Sequence, residues 1–175
     1  ILVYDPSLNI VAQKMQKFEE YEENGIRHDD VEGLTEWMLK TLKQLSGSFR
    51  IRVISVSTHG ATFVAVGKDG HIAVPEISYT TDPGEDFHNR FYNICGDPVL
   101  LQQSTGTPNF NMLINLAKGI FYVQERYAEQ FRQVDHILHY PQYFGFFLTG
   151  NVCADPTYTG NHSYLWDFGG NHWSQ

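Results

Sequence analysis

The chain has 175 residues, 42% of them hydrophobic, and a formal net charge of −8. That length supports one domain burying roughly 70% of its unfolded surface. The absence of a basic stripe argues against a nucleic-acid partner, and the absence of an apolar run of roughly 18 residues argues against a membrane span. Cys95 and Cys153 lie far apart with no CxxC spacing, which points to a reducing, cytoplasmic setting instead of a disulfide framework. The chain opens at Ile1 with neither an initiator Met nor a signal peptide, and it reads as a fragment.

Residues 1–4 predict a strand, and Asp5-Pro6-Ser7-Leu8-Asn9 is turn chemistry. Residues 10–18 alternate well enough to be the returning strand of a hairpin. Glu19, Glu20, Glu22, Glu23 and Asn24-Gly25 predict a solvated acidic loop. Asp29 or Asp30 can cap a helix that carries Leu34, Trp37, Met38, Thr41, Leu42 and Leu45 at helical spacing and ends at Gly47. The stretch 50–66, RIRVISVSTHGATFVAV, then predicts two buried strands, 50–56 and 62–66, joined by the small polar corner Ser57-Thr58-His59-Gly60-Ala61. Asp69-Gly70 predicts a tight hairpin back to residues 71–74.

Residues 87–95 predict a short helix, and residues 97–108 a helix followed by a loop. Residues 111–128 predict an amphipathic helix through Leu113, Leu116, Ile120 and Val123. Residues 137–139 read as a short strand. Pro141 opens a helix closed by Gly150, residues 155–160 are loop, and residues 164–167 form a short apolar strand.

Chemistry-bearing motifs are few. No P-loop or GxGxxG is present, and Asp167-Phe168-Gly169 lacks the companion motifs of a protein kinase. His136 and His139 are three apart with no third ligand, so no metal site is expected. Neither cysteine has an identifiable base, and Asp5 is the one acid at a strand end that a metal-dependent nuclease could use. What remains is a set of polar loop residues: Thr58, His59, Tyr79, Asp82, Asn109, Asn111, Asp155 and Thr157. Such a set suits a polyhydroxylated ligand, because each hydroxyl already bonds water and only well-aimed donors and acceptors recover that loss. The corner at His59 would serve equally as a plain strand-to-strand connection with the imidazole in solvent.

Several stretches resemble the FGGY family of carbohydrate kinases. Thr58-His59-Gly60-Ala61 is similar to the family's MHGA after a strand. The run Tyr140-Pro141-Gln142-Tyr143-Phe144 to Leu148-Thr149-Gly150 resembles P-x-Y-F-x-x-x-L-T-G. Asp155-Pro156-Thr157-Tyr158 resembles D-x-T/S-x-A, and Trp166-Asp167 with Trp173-Ser174 resembles the following L-x-D…W-S. Residues 1–18 are similar to the second and third strands of the amino-terminal lobe. Phe110-Asn111 followed by Leu113 is closest to the F-N-T-L of rhamnulokinases. Met112 and Asn115 stand where another family pattern has Lys and Trp, and Tyr79-Thr80-Thr81-Asp82-Pro83 replaces W-x-D-x-R, with its acid moved by one place and its Arg absent.

The resemblance implies an α/β, actin-like (RNase H-like) ATPase lobe. Its mixed five-stranded sheet with flanking helices would lack the first strand, and residues 1–175 would form a single amino-terminal, sugar-binding lobe. It implies ATP-dependent phosphorylation of a ketose or related sugar, with ATP and Mg2+ held by segments outside this chain, so the fragment alone would be inactive. Thr58 and His59 would bond sugar hydroxyls, Gly60 would let the sugar approach the backbone, and Asn111 and Asp82 would add contacts. No residue here can be named as catalytic base. The partners implied are a sugar and ATP, with a homodimer allowed. The rival reading is a non-catalytic sugar sensor or scaffold that kept the lobe and lost the chemistry.

Overall fold

A computed structural model describes residues 1–174, and Gln175, the last residue of the expected 1–175 lobe, lies outside the described residues. The chain divides into two compact units, one formed by Ile1–Tyr21 and Asp29–Ser55, the other by Glu22–His28 and Val56–Gln175.

In the first unit, β1 (Leu2–Tyr4) and β2 (Ile10–Gln13) form an antiparallel hairpin with Val3 opposite Ala12. Its turn is organised by Asp5, whose Oδ1 accepts from the amides of Ser7 and Asn9, both at 2.9 Å. Short side chains that bond their own backbone two residues on make this a turn instead of a longer strand. Helix α1 (Val31–Ser46) follows. Asp30 is its N-cap, accepting from the Gly33 amide at 2.9 Å. A Cβ at Gly33 would lie 2.2 Å from the Asp30 carboxylate, so a larger residue there would push the capping side chain aside. Trp37 on α1 meets Phe18 edge-on, with ring centroids 5.9 Å apart.

Residues 50–56 form no strand, contrary to the expectation from their apolar pattern. Val53 is 82% exposed and Ile54 49% exposed. A strand exists only as part of a ladder, and this stretch joins none among the described residues. It is also divided between the two units, which part after Ser55. The strands that do form make four two-stranded pairs, so the described residues contain no five-stranded sheet.

The second unit is built on a different pair. β3 (Tyr21–Glu23) and β4 (Ile26–His28) close around Asn24 and Gly25, both with positive φ, so the expected acidic loop is a hairpin. His28 is buried and its Nδ1 lies 2.6 Å from the Glu76 carbonyl. β5 (Phe63–Gly67) is buried at every residue and pairs antiparallel with β6 (Val134–His139), with Phe63 opposite His139 and Ala65 opposite Ile137. The Asp69-Gly70 turn is present, but its return makes one isolated bridge, Val66 to Ile72, instead of a strand.

Helices α2 (Glu85–Cys95) and α3 (Pro98–Thr105) follow, α3 capped by Asp97. α4 (Leu116–Arg126) begins five residues later than its amphipathic pattern suggests. Met112 sits at φ 59°, which a helix cannot contain, so Leu113 is buried from a loop. α4 lies close to β5 because Gly119 leaves room for the Phe63 ring, which a Cβ there would meet at 3.0 Å. Phe63, Ala65, Val74, Ile77, Phe87, Leu116 and Val123 make the core of this unit. α5 (Ala128–Phe131) is a single turn, α6 (Tyr140–Thr149) ends at left-handed Gly150, and α7 (Pro156–Thr159) is one turn where a loop was expected. β7 (Trp166–Asp167) pairs with β8 (His172–Trp173), so Asp167-Phe168-Gly169 is the entry to a hairpin. No helix among the described residues is long and apolar enough to cross a membrane.

The α1 cap offers a direct check. Asp30→Ala should lower stability by about 1 kcal/mol, read as a reduced urea midpoint with an unchanged slope.

Candidate functional site

The β5–β6 ladder continues one bond beyond its named ends, where the Tyr140 amide donates to the Thr62 carbonyl at 3.1 Å. Thr62 is buried, and its Oγ1 lies 2.8 Å from His59 Nε2. The buried ladder thus fixes an imidazole three residues before it. The His59 ring sits between Tyr79 and Tyr140, at centroid distances of 5.4 and 5.2 Å. His59 is exposed and Tyr79 half-buried, while Tyr140 is buried, so one imidazole and part of one aromatic ring reach the surface of the second unit.

The backbone of this corner is held from a third direction. The Tyr158 hydroxyl donates to the His59 carbonyl at 2.8 Å, and the half-buried Thr58 donates its own hydroxyl to the same oxygen at 2.8 Å. Tyr158 is placed by Asp155, whose carboxylate accepts from the amides of Thr157 and Tyr158 and from the Thr157 hydroxyl. Those bonds hold the Asp155 carboxyl below its ordinary range. Gly60 is exposed, and the nearest atom a Cβ would meet is the Tyr158 hydroxyl at 3.8 Å, an ordinary contact. The left-handed residue of the corner is Ala61, at φ 65°, so the strain lies one residue beyond the glycine.

Asp82 and Asn111 are exposed on neighbouring loops. Asp82 Oδ1 accepts from the Gly84 amide at 3.0 Å. The loop of Asn111 is joined to that of Tyr79 by the Leu113 amide, which donates to the Tyr79 carbonyl at 3.1 Å. The structure therefore brings Thr58, His59 and Gly60 together with Tyr79, while Asp82 and Asn111 stand on other loops. Asn109, Asp155 and Thr157 serve as internal partners of other side chains. Tyr140, Tyr158 and Thr62 were missed as site residues. Their only sequence signal was position, after a strand, after a capped Asp-Pro-Thr, and directly after the corner.

A cavity of about 310 Å3 lies elsewhere, lined by residues that include Cys95, Asp97, Ser104, Asp167 and His172, and none of the five expected contact residues lines it. Among the described residues no group of three or more His, Cys, Asp or Glu could hold a metal ion.

With the geometry in place, the chain can be set beside known proteins. No protein-family model matches the sequence, and no curated protein matches it. Solved structures do. A carbohydrate kinase from Novosphingobium aromaticivorans superposes over 99% of this chain with a TM-score of 0.86 at 24% identity. The fold is that of a carbohydrate kinase. A ligand-bound xylulose kinase from Lactobacillus acidophilus covers 99% of the chain at TM-score 0.81 and 16% identity. Plasmodium falciparum glycerol kinase with ADP covers 99% at TM-score 0.78 and 19% identity. The chain spans only 36%, 35% and 36% of these three proteins, about a third of their length. By their own names these neighbours are carbohydrate, xylulose and glycerol kinases, so the resemblance read from the motifs is met at the level of fold.

Two measurements test the corner. Tyr158→Phe removes only the hydroxyl that reaches the His59 carbonyl, and it should lower stability by about 1 kcal/mol, read by chemical denaturation. His139, whose Nε2 lies 3.2 Å from Thr159 Oγ1, is pushed by burial from an ordinary 6.5 down to about 4. The folded chain keeps this imidazole neutral while the unfolded chain protonates it. Stability should therefore be full above pH 6.5 and fall as pH drops from 6.5 toward 4. His139→Gln should flatten that part of the profile, as followed by urea titrations at a series of pH values.

Proposed function

We propose that this chain is the sugar-binding, amino-terminal lobe of an ATP-dependent carbohydrate kinase of the FGGY type. The observation that carries the reading is the coincidence of two facts. The kinase fold covers nearly the whole chain, and within that fold an exposed imidazole stands between two aromatic rings at the end of a buried ladder. Two of the structural neighbours are named as kinases of xylulose and glycerol, both polyhydroxylated compounds. A ketose or related sugar suits the corner here. The half-buried ring of Tyr79 can pack on the C–H surface of a sugar while His59 and Thr58 meet its hydroxyls. Gly60 lets the sugar approach the backbone, and Asp82 and Asn111 reach it from the flanking loops.

Phosphoryl transfer needs in-line positioning, a metal and closure of two lobes on the phosphates. In this proposal ATP and Mg2+ are bound by parts of the protein outside these 175 residues, together with the base that deprotonates the sugar. The chain alone is then a binding lobe without turnover. In the intact protein the lobe completes a mixed five-stranded sheet, and residues 50–56 acquire a ladder partner. A cytoplasmic setting belongs to the same reading, and a homodimer is compatible with it.

Calorimetry on the intact protein with a panel of ketoses, polyols and sugar acids tests the site. His59→Ala should weaken the preferred sugar at least tenfold, about 1.4 kcal/mol. Equal affinities in the two proteins would remove His59 from the site. Coupled detection of ADP release with the same panel separates a kinase from a sugar sensor, because a sensor binds without turnover.

A further inference from the structure

Helix α4 carries two polar side chains with no exposed surface, Asn115 at its N-cap and Lys118 in its first turn. Both reach back to the same loop. Asn115 Oδ1 accepts from the Phe110 amide at 3.1 Å, and its Nδ2 donates to the Pro108 carbonyl at 3.1 Å. Lys118 Nζ donates to the Phe110 carbonyl at 2.6 Å and to Asn109 Oδ1 at 2.8 Å. The Tyr92 hydroxyl donates to that same Asn109 oxygen at 2.5 Å, and Lys118 Nζ lies 4.9 Å from the centre of the Tyr92 ring. Pro108, Asn109 and Phe110 are thus tied down by buried side chains where a loop would ordinarily rely on water or a ladder. The next residue is Asn111, and two further on Leu113 bonds the Tyr79 carbonyl.

Among the described residues no carboxylate pairs with Lys118, and its acceptors are a carbonyl and a side-chain amide. A buried ammonium facing only neutral acceptors carries an uncompensated desolvation cost, while its hydrogen bonds are stronger and more directional than those of a neutral group. That combination favours a role in geometry over a role in stability. We propose that Lys118 is a positioning residue, whose Nζ holds Asn109 and Phe110 from beneath and so fixes where the loop presents Asn111 to the ligand. The ligand part of this inference rests on the sugar-site reading above. The holding of the loop does not.

The titratable groups facing Lys118 are His88 and Tyr92, both from α2. Asp82, ahead of α2, acts on His88, and the Tyr164 hydroxyl lies 3.4 Å from that of Tyr92. Burial pushes Lys118 down to about 8. Burial and the neighbouring Lys118 push His88 below its ordinary value, and burial pushes Tyr92 upward. Lys118 is therefore the member of this set that titrates between pH 7 and 9.5. A loop opening that hydrates it takes up a proton in the range from about 8 to the ordinary 10.5. Opening is accordingly easier at pH 7 than at pH 9.5.

Hydrogen exchange at the Phe110 amide, corrected for intrinsic rates, reads this opening directly. In the wild-type chain the opening constant should fall more than tenfold between pH 7 and 9.5. In Lys118→Met the pH dependence should vanish, and in the intact protein affinity for the preferred sugar should drop about tenfold. A merely structural lysine would lower the melting temperature and raise exchange at the β5–β6 amides as much as at Phe110, with sugar affinity unchanged. Asn109→Ala, at an exposed position, covers the case in which Lys118→Met fails to fold, and it should raise Phe110 exchange several-fold. Wild-type exchange that ignores pH, or an Asn109→Ala protein with unchanged exchange, overturns the proposal. If no sugar binds the intact wild-type protein, the sugar-site reading falls, and the exchange experiment still decides whether Lys118 holds the loop.

Discussion

The organisation of the second unit turns on Thr62. Its carbonyl takes the last backbone bond of the β5–β6 pair, and its hydroxyl meets His59. One buried residue thus belongs to the core ladder and to the exposed corner at once. Core strands are the least mobile parts of a domain, while connecting loops are ordinarily mobile. Tying the imidazole to the ladder through one short side chain gives a surface group the positional definition of the core. Tyr140 extends the same logic, because its amide completes the ladder and its ring flanks His59.

Much of both units was readable from residue order. The capped helix after Asp30, the turn at Asp69-Gly70, the apolar run 62–66 and the helix from Tyr140 to Gly150 each depend on local chemistry, and each is present. The stretch 50–56 was misread because a β pattern reports suitability for a ladder and not the presence of a partner. The start of α4 was misread for a related reason. Leu113 fits the helical stripe and is buried, but it is buried from a loop whose backbone at Met112 is left-handed. Apolar periodicity records which residues turn inward, and two backbone paths can satisfy the same record.

The candidate site was legible in part. His59 and Thr58 stood out because small polar residues around an imidazole follow an apolar run. Tyr79 stood out as a polar-tipped aromatic in a loop. Tyr140 and Tyr158 did not, since they come from stretches 81 and 99 residues farther along than His59 and gain their place through packing. Lys118 was hidden for the opposite reason. On a helix with alternating character a lysine is expected in solvent, and only the folded chain shows it enclosed against a loop of neutral acceptors.

The unpaired run at Val53 and Ile54 also bears on how the isolated polypeptide behaves in a test tube. An exposed apolar stretch outside any sheet is a place where a second molecule can add its own backbone. Concentration, more than heat, would then limit how long such a preparation stays clear. Salts that strengthen apolar association would shorten that time, and a detergent or an added strand-forming peptide would lengthen it. Cloudiness of that origin is a surface phenomenon of a folded chain and carries no information about the integrity of the His59 corner.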